Sequence, residues 1–159
     1  MLSDLSRYRD AFADLRVGRA NGHDKPHKPA MLLAVLDLIE SGRIRTNRIA
    51  YDPELLDRFK AYFELVRADQ DALTPILPFF FLRGDHFWHH HPHANQELAY
   101  QSLRSPGSKS QLLSIVDYAY LDDPLFNLML DPETREALRQ ILIQRYFAPQ
   151  AAAICDVIR

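Results

Sequence analysis

The sequence predicts a mainly α-helical domain with a small β-hairpin, an α+β chain that folds as a single compact unit over residues 1–159. Three observations support this fold class. A length of 159 residues fits one domain, and 47% hydrophobic residues supply enough apolar material for a core. Apolar side chains recur at three- and four-residue spacing through most of the chain, which is typical of helices. One segment, residues 78–90, has the composition of paired strands instead.

Helices alternate with loops in the N-terminal half. Residues 3–16 have the apolar spacing of an amphipathic helix, whereas residues 17–29 contain two glycines and two prolines and predict a loop. A very apolar helix follows at residues 30–40, with Pro29 in its first turn and Gly42 after its end. Residues 43–49 are interpreted as a short extended piece. Asp52 then caps a third helix at residues 53–66.

The strand-like segment consists of two aromatic runs on either side of Gly84-Asp85. A Gly-Asp pair between two such runs predicts a hairpin that starts at Pro78. The aromatic side chains of this hairpin are expected in the core. They are Phe79, Phe81, Phe87 and Trp88.

The C-terminal half returns to helical patterns. Helices are predicted at residues 96–103, 111–120, 123–130 and 132–147, with a loop at residues 104–109. Asp131 is the expected cap of the last of these, with Pro132 in its first turn. The tail from residue 151 is interpreted as a further helix or the start of a linker. Its Cys155, the only cysteine, excludes an internal disulfide and fits a reducing cytoplasm.

Charge is distributed unevenly along the chain. The formal net charge is −2, but residues 16–48 contain seven lysines and arginines against three acidic residues. Such a segment predicts a local basic face that could bind phosphate on a protein with little affinity for random DNA. The N-terminus lacks the pattern of a signal peptide, and no apolar run approaches about 18 residues, so no membrane span is expected.

Two segments together carry a family resemblance. The first is Pro26-His27-Lys28-Pro29 with the apolar helix after it, and the second is the Pro78-FFFLRGDHFWH run. Their order resembles the sulfur-binding domain of phosphorothioate-dependent type IV (McrA-like) HNH restriction endonucleases, over roughly residues 19–147. The resemblance implies a bacterial, cytoplasmic reader of phosphorothioate-modified double-stranded DNA, without catalytic residues or a cofactor. The resemblance also implies a separate HNH nuclease domain in the parent protein. This chain itself has no His-Asn-His constellation after residue 120.

A phosphorothioate carries sulfur in place of a non-bridging phosphate oxygen, so its reader needs cations for the charge and an apolar wall for the sulfur. By resemblance, the sulfur cavity uses the basic residues at the loop-to-helix junction and the pair Leu77-Pro78. The family pattern has an aromatic residue where this chain has Leu77. The residues predicted to bind phosphate or sulfur are Arg19, His27, Lys28, Leu77, Pro78, Arg104, Ser108 and Lys109. The residues predicted to contact base edges are Asn21, Gly22, His23 and Asp24.

The histidine run supports a competing hypothesis. Its members are His86, His89, His90, His91 and His93. On one strand, alternate histidines would share a face and could bind a metal, which would suit a metal-dependent hydrolase. However, no carboxylate or cysteine lies close in sequence, and Pro92 is expected to interrupt the strand. A protein-interaction domain, whose loop cations are merely solvated, is the third alternative. Arg83 is interpreted as a surface charge.

Overall fold

Helices surround a central apolar helix in the computed structural model, which describes residues 2–20, 23–68 and 71–158. The helices are α1 (Leu2–Ala13), α2 (His27–Glu40), α3 (Pro53–Val66), α4 (Ile76–Phe81), α5 (Glu97–Ser102), α6 (Lys109–Ile115), α7 (Asp123–Leu130), α8 (Pro132–Tyr146) and α9 (Ala151–Ile158), with short 3-10 turns at Leu82–Asp85 and Ala148–Gln150. The strands are β1 (Arg19–Ala20), β2 (His23–Asp24), β3 (Trp88–Pro92) and β4 (Val116–Leu121). This architecture confirms the predicted fold class.

Helix α2 forms the centre of the core. Every residue from Pro29 to Ile39 is buried, because α3, α4, α7 and α8 pack around it. A helix that is apolar on all sides is stable in water only when it is covered in this way. The helix begins at His27, three residues before the predicted start, and ends where Gly42 takes a left-handed φ of 78°.

The predicted caps are present. The Asp52 carboxylate accepts the Leu55 N–H at 3.0 Å at the start of α3, and Asp131 accepts the Thr134 N–H at 3.0 Å at the start of α8. Both helices have proline in the first turn, where its missing N–H leaves no bond unmade. Cys155 lies in α9 and is exposed.

The predicted hairpin at residues 78–90 is wrong. Its first half is helical, as α4 and the 3-10 turn after it, and β3 pairs instead with β4 in antiparallel register from Trp88↔Leu121 to Pro92↔Val116. Pro75 and Pro78 at the start of α4 lack N–H groups, which suits a first helical turn better than a strand ladder. The helix predicted at residues 111–120 is also wrong in its second half, because the residues from Val116 onward form β4.

The sheet of β3 and β4 turns one face inward. Trp88 and His90 are buried, whereas His89 and His91 lie on the outer side opposite Tyr120 and Tyr118. Pro92 ends β3 at a register irregularity.

The predicted loop at residues 17–29 contains a short hairpin in which β1 pairs with β2. Among the described residues, no helix combines the length and the apolar character needed to cross a membrane.

Candidate nucleic-acid interface

A cavity of about 570 Å³ opens between the segment before β1, the start of α2 and helix α4. Its lining contains two pairs of residues that lie far apart in sequence, His27-Lys28 and Leu77-Pro78. The complete lining is Arg16, Val17, Gly18, Lys25, His27, Lys28, Asp71, Ala72, Thr74, Leu77, Pro78, Phe81 and Gly84.

Helix α4 supplies an apolar wall. Leu77, Pro78 and Phe81 line the cavity with side chains that contain only carbon and hydrogen. Leu77 and Phe81 share a helix face because they are four residues apart, and they are 39% and 40% exposed. Exposed large apolar side chains that meet at a cavity indicate a binding surface. Phe81 was expected in the core, and that prediction is wrong because helical spacing turns it outward.

The inner face of β3 holds this wall in place. The Trp88 indole N–H donates to the Phe79 carbonyl at 2.9 Å, and His90 Nε2 lies 2.9 Å from the same oxygen. A carbonyl can only accept, so Nε2 carries the His90 proton and Nδ1 accepts from the Tyr100 hydroxyl at 2.7 Å. Burial lowers the pKa of His90 to about 4, which keeps the ring neutral.

Lys28 reaches the cavity from the first turn of α2, but its charge is paired. The ammonium donates to Asp85 Oδ2 at 2.6 Å, and the Arg16 backbone N–H donates to the other carboxylate oxygen at 2.7 Å. The side chains of Lys28 and Asp85 are only 12% and 4% exposed. Asp85 therefore joins three lining segments, namely the one before β1, the start of α2 and the 3-10 turn after α4.

His27 is also engaged within the protein. Its Nε2 donates to the Ala72 carbonyl at 2.8 Å, and its ring contacts Phe63 at a centroid distance of 4.8 Å. Burial lowers the pKa of His27, so the ring is neutral. The side chain helps to close the cavity, while the first backbone N–H groups of α2 have no intrahelical acceptor.

The exposed cations of the cavity are Arg16 and Lys25. Neither side chain has an ion-pair partner within the described ranges. The Lys25 stem lies against Gly18, where a Cβ atom would come within 3.2 Å of Lys25 Cδ. The Lys25 N–H donates to the Gly18 carbonyl at 2.6 Å. This packing holds the lysine at the rim, and its charge is close enough to His27 to contribute to lowering the pKa of that ring.

The residues predicted to contact bases lie in or next to β2 in the sequence, between the cavity residues Gly18 and Lys25. Asn21 and Gly22 lie outside the described residues. The backbones of Arg19 and His23 form part of β1 and β2, and their side chains also lie outside the described part. Asp24 forms an ion pair with Arg145 at 3.5 Å.

The loop at residues 104–109 does not line the cavity. Ser108 caps α6 by accepting the Gln111 N–H at 3.1 Å, and the Lys109 ammonium lies over the Tyr51 ring at 5.9 Å. Arg104 is exposed. Gly107 has a φ of 65°, and a Cβ atom there would lie 2.3 Å from the Gln111 side chain, so this turn requires glycine.

This loop is nevertheless tied to the back of α4. Arg83 donates to the Leu103 carbonyl and stacks 4.2 Å from the Phe80 ring centroid, so it is a structural residue rather than a simple surface charge. Tyr51, under Lys109, contacts Phe79 edge-on at 5.0 Å.

The histidine run is dispersed over different partners. His90 is buried, His89 Nε2 lies 2.6 Å from Asp122 Oδ1, His91 stacks on Tyr118, and His93 Nε2 lies 2.9 Å from the Leu113 carbonyl. No three metal-binding side chains come together in the part of the chain that the structure describes. The metal-dependent hydrolase hypothesis therefore finds no support in the described residues.

Sequence reasoning counted Arg16 and Lys25 in the basic segment without assigning them to the site, and it missed Phe81 and Asp85 as residues of the candidate site. Phe81 follows Leu77 by four residues, a spacing that would have indicated a shared face had the segment been recognised as a helix. Asp85 had been assigned to a turn, and nothing local in the sequence indicates its contact with Lys28, 57 residues away.

Comparison with known proteins identifies the family. The profile described as "ScoMcrA-like, DNA sulfur-binding domain" matches residues 6–156, and the chain belongs to this family. The resemblance seen in the sequence is thus confirmed. No sequence among the curated proteins matches the chain.

Several solved structures share the fold. The sulfur binding domain of ScoMcrA complexed with phosphorothioated DNA is 21% identical with a TM-score of 0.67, covering 89% of this chain and 88% of that one. The corresponding complex of SprMcrA is 16% identical with a TM-score of 0.64, at 90% and 85% coverage. The type IV phosphorothioation-dependent restriction endonuclease ScoMcrA is 21% identical with a TM-score of 0.64, and the match covers 88% of this chain but 29% of that one.

Proposed function

We propose that this domain reads phosphorothioate modification in double-stranded DNA and performs no chemistry on it. The observation that carries the proposal is the cavity beside α2, in a member of a DNA sulfur-binding family, with a hydrocarbon wall on one side and cations at its rim. Two solved domains of the same fold are complexes with phosphorothioated DNA. The modified group enters with its sulfur against α4.

The chemistry of the group suits this arrangement. A phosphorothioate remains an anion, but its sulfur is larger, more polarisable and less well hydrated than oxygen. Leu77, Pro78 and Phe81 contact the sulfur without leaving a polar group unsatisfied. Arg16 and Lys25, with the backbone N–H groups at the start of α2, hold the charged phosphate.

The expected preference is large enough for a reader. Sheltering sulfur is comparable to burying one or two methylene groups, at about 0.8 kcal/mol each. Placing a hydrated oxygen against the same wall costs about 1–3 kcal/mol. The sum of about 2–4 kcal/mol corresponds to a preference of roughly 30- to 1000-fold.

Two further groups of residues complete the proposed interface. Arg19 contacts the DNA backbone, and Asn21, Gly22, His23 and Asp24 contact base edges. The loop that contains Arg104, Ser108 and Lys109 contacts phosphates on the side of α4 opposite the cavity. Arg104 and Lys109 supply the positive charge for these contacts.

We also propose that the domain acts as the recognition module of a modification-dependent restriction enzyme in the bacterial cytoplasm, linked to an HNH nuclease. The supporting observation is the similarity to ScoMcrA, a restriction endonuclease of which the matched region forms 29%.

A gel-shift experiment tests the proposal. Short duplexes with several core sequences, each with and without a single Rp phosphorothioate, are compared at two salt concentrations. A shift that requires sulfur and weakens with salt is expected. Equal binding of both forms would leave a general DNA-binding domain, and no binding with any core would favour a protein-interaction domain.

A further inference from the structure

We propose that Asp85 determines the specificity of the cavity by pairing with the Lys28 ammonium, so that a phosphate oxygen entering the cavity meets a cation whose charge is already neutralised. This inference rests on the proposed function and extends it. Asp85 would not touch the DNA; it would act through Lys28 as a positioning residue.

The geometry supports this role. The Lys28 ammonium lies 2.6 Å from Asp85 Oδ2, and both side chains are nearly buried, so the pair is shielded from solvent screening. The Arg16 N–H holds the second carboxylate oxygen at 2.7 Å. Asp85 is therefore fixed on both sides. If the carboxylate turned away, it would lose its contacts with the Lys28 ammonium and the Arg16 N–H.

The charge balance of the cavity follows from this pair. Lys28 is joined through Asp85 to the 3-10 turn that follows α4, whereas Arg16 and Lys25 stand exposed at the rim. With Lys28 paired, the exposed cations among the described lining residues are Arg16 and Lys25, and the Asp71 carboxylate, which is 4% exposed, offers no donor.

Sulfur and oxygen respond differently to such a cavity. An oxygen that leaves water needs a strong donor to replace its lost hydrogen bonds, and a free ammonium would supply one. Sulfur is a weaker acceptor and gains less from that donor. A released Lys28 should consequently favour ordinary phosphate more than phosphorothioate and reduce the preference for sulfur.

The experiment compares wild type with Asp85→Asn by fluorescence anisotropy on matched duplexes with and without an Rp phosphorothioate. Asparagine keeps an acceptor for the Arg16 N–H but removes the charge. We expect the unmodified duplex to bind about tenfold more tightly, the modified duplex to change less, and the ratio of the two dissociation constants to fall accordingly. The salt slope for unmodified DNA should steepen by about 1.

A double variant separates this role from a structural one. Lys28→Met combined with Asp85→Asn replaces the ion pair by a neutral pair of similar size, and it should keep the wild-type preference for sulfur. Thermal melting of each variant establishes that it is folded.

Two results would overturn the inference. One is an unchanged ratio of the two dissociation constants in folded Asp85→Asn protein; if both duplexes were weakened equally, Asp85 would be structural only. The other is loss of the preference in the folded double variant. By contrast, a wild-type protein that does not distinguish the two duplexes would refute the proposed function itself.

Discussion

At the scale of single residues, the proposed function gives the wall and the rim of the cavity separable tasks. We propose that the wall distinguishes sulfur from oxygen, since hydrocarbon gives no hydrogen bond to either atom but tolerates the less hydrated one, and that the rim holds the phosphate. The rim supplies charge, which both forms of DNA share. Substitutions in the wall should therefore change the ratio of affinities, and substitutions at the rim should change both affinities together.

Phe81→Ser tests the wall. Because Phe81 is already 40% exposed, serine should leave the fold intact while removing apolar surface that the sulfur contacts. We expect the preference for the modified duplex to fall by about three- to tenfold, corresponding to about 1 kcal/mol of lost contact. Leu98→Ser, at a residue that is 78% exposed on α5, is the matched control. A preference that both variants retain would exclude Phe81 from the sulfur site.

Arg16→Gln and Lys25→Gln test the rim. Each removes one exposed cation, so binding of modified and unmodified duplexes should weaken by similar factors and the salt slope should decrease by about 1. Lys60→Gln, on the exposed side of α3, removes the same charge away from the cavity and should have little effect. If the Lys60 variant weakened binding as much as the Lys25 variant, net charge rather than the rim would explain the affinity.

At the scale of secondary-structure elements, strand β3 fixes helix α4 and hence the wall. His90 and Trp88 donate to the same Phe79 carbonyl, one residue after Pro78. A site that makes few hydrogen bonds to its ligand needs a rigid scaffold for the residues that contact the ligand.

His90 makes the stability of this arrangement depend on pH. The folded pKa of about 4 lies below the ordinary value of 6.5, so the unfolded chain binds more protons between these values. Stability should be full above pH 6.5 and decline as the pH falls toward 4. Urea unfolding at pH 7 and pH 5 should differ by about 2 kcal/mol, with the protein less stable at pH 5. His27, whose pKa is also lowered, acts in the same direction.

His90→Gln serves as the control, because it keeps a donor for the Phe79 carbonyl but does not titrate. The difference in the free energy of unfolding between pH 7 and pH 5 should be smaller in this variant. Equal stability of the wild-type protein at both pH values would contradict the assignment of a neutral, buried His90.

Elements with local signals could be predicted from the sequence, whereas elements defined by distant partners could not. Asp52 and Asp131 mark helix starts through contacts three residues away, and the structure contains both. The segment from residue 78 has aromatic residues suited to strands, but its environment against β3 and α2 makes it a helix. Residues 116–121 likewise become a strand because β3 and Ile49 pair with them.

The site was predictable to a similar degree. The His27-Lys28 and Leu77-Pro78 pairs share one cavity as expected, while the hydrogen bond of His27 to Ala72 and the ion pair of Lys28 with Asp85 depend on tertiary packing. Because Lys28 is paired and His27 is neutral, the exposed positive charge of the cavity belongs to Arg16 and Lys25. Local sequence patterns carry no information about these contacts.

At the scale of the whole molecule, a net charge of −2 coexists with a cationic rim. A near-neutral protein attracts random DNA weakly, so recognition depends on the local site rather than on a general field. This balance fits the proposed reader, which would have to distinguish one modified linkage among many ordinary ones.

The most direct test of the account is methyl NMR of Leu77 during titration with a duplex that carries one Rp phosphorothioate, compared with the same duplex without sulfur. The Leu77 methyl signals should shift differently with the two duplexes, because only one places sulfur against α4, whereas the Leu98 methyl signals should be unaffected by either. Sulfur-dependent binding that leaves the Leu77 signals identical in both titrations would contradict the account, since the sulfur would then lie elsewhere.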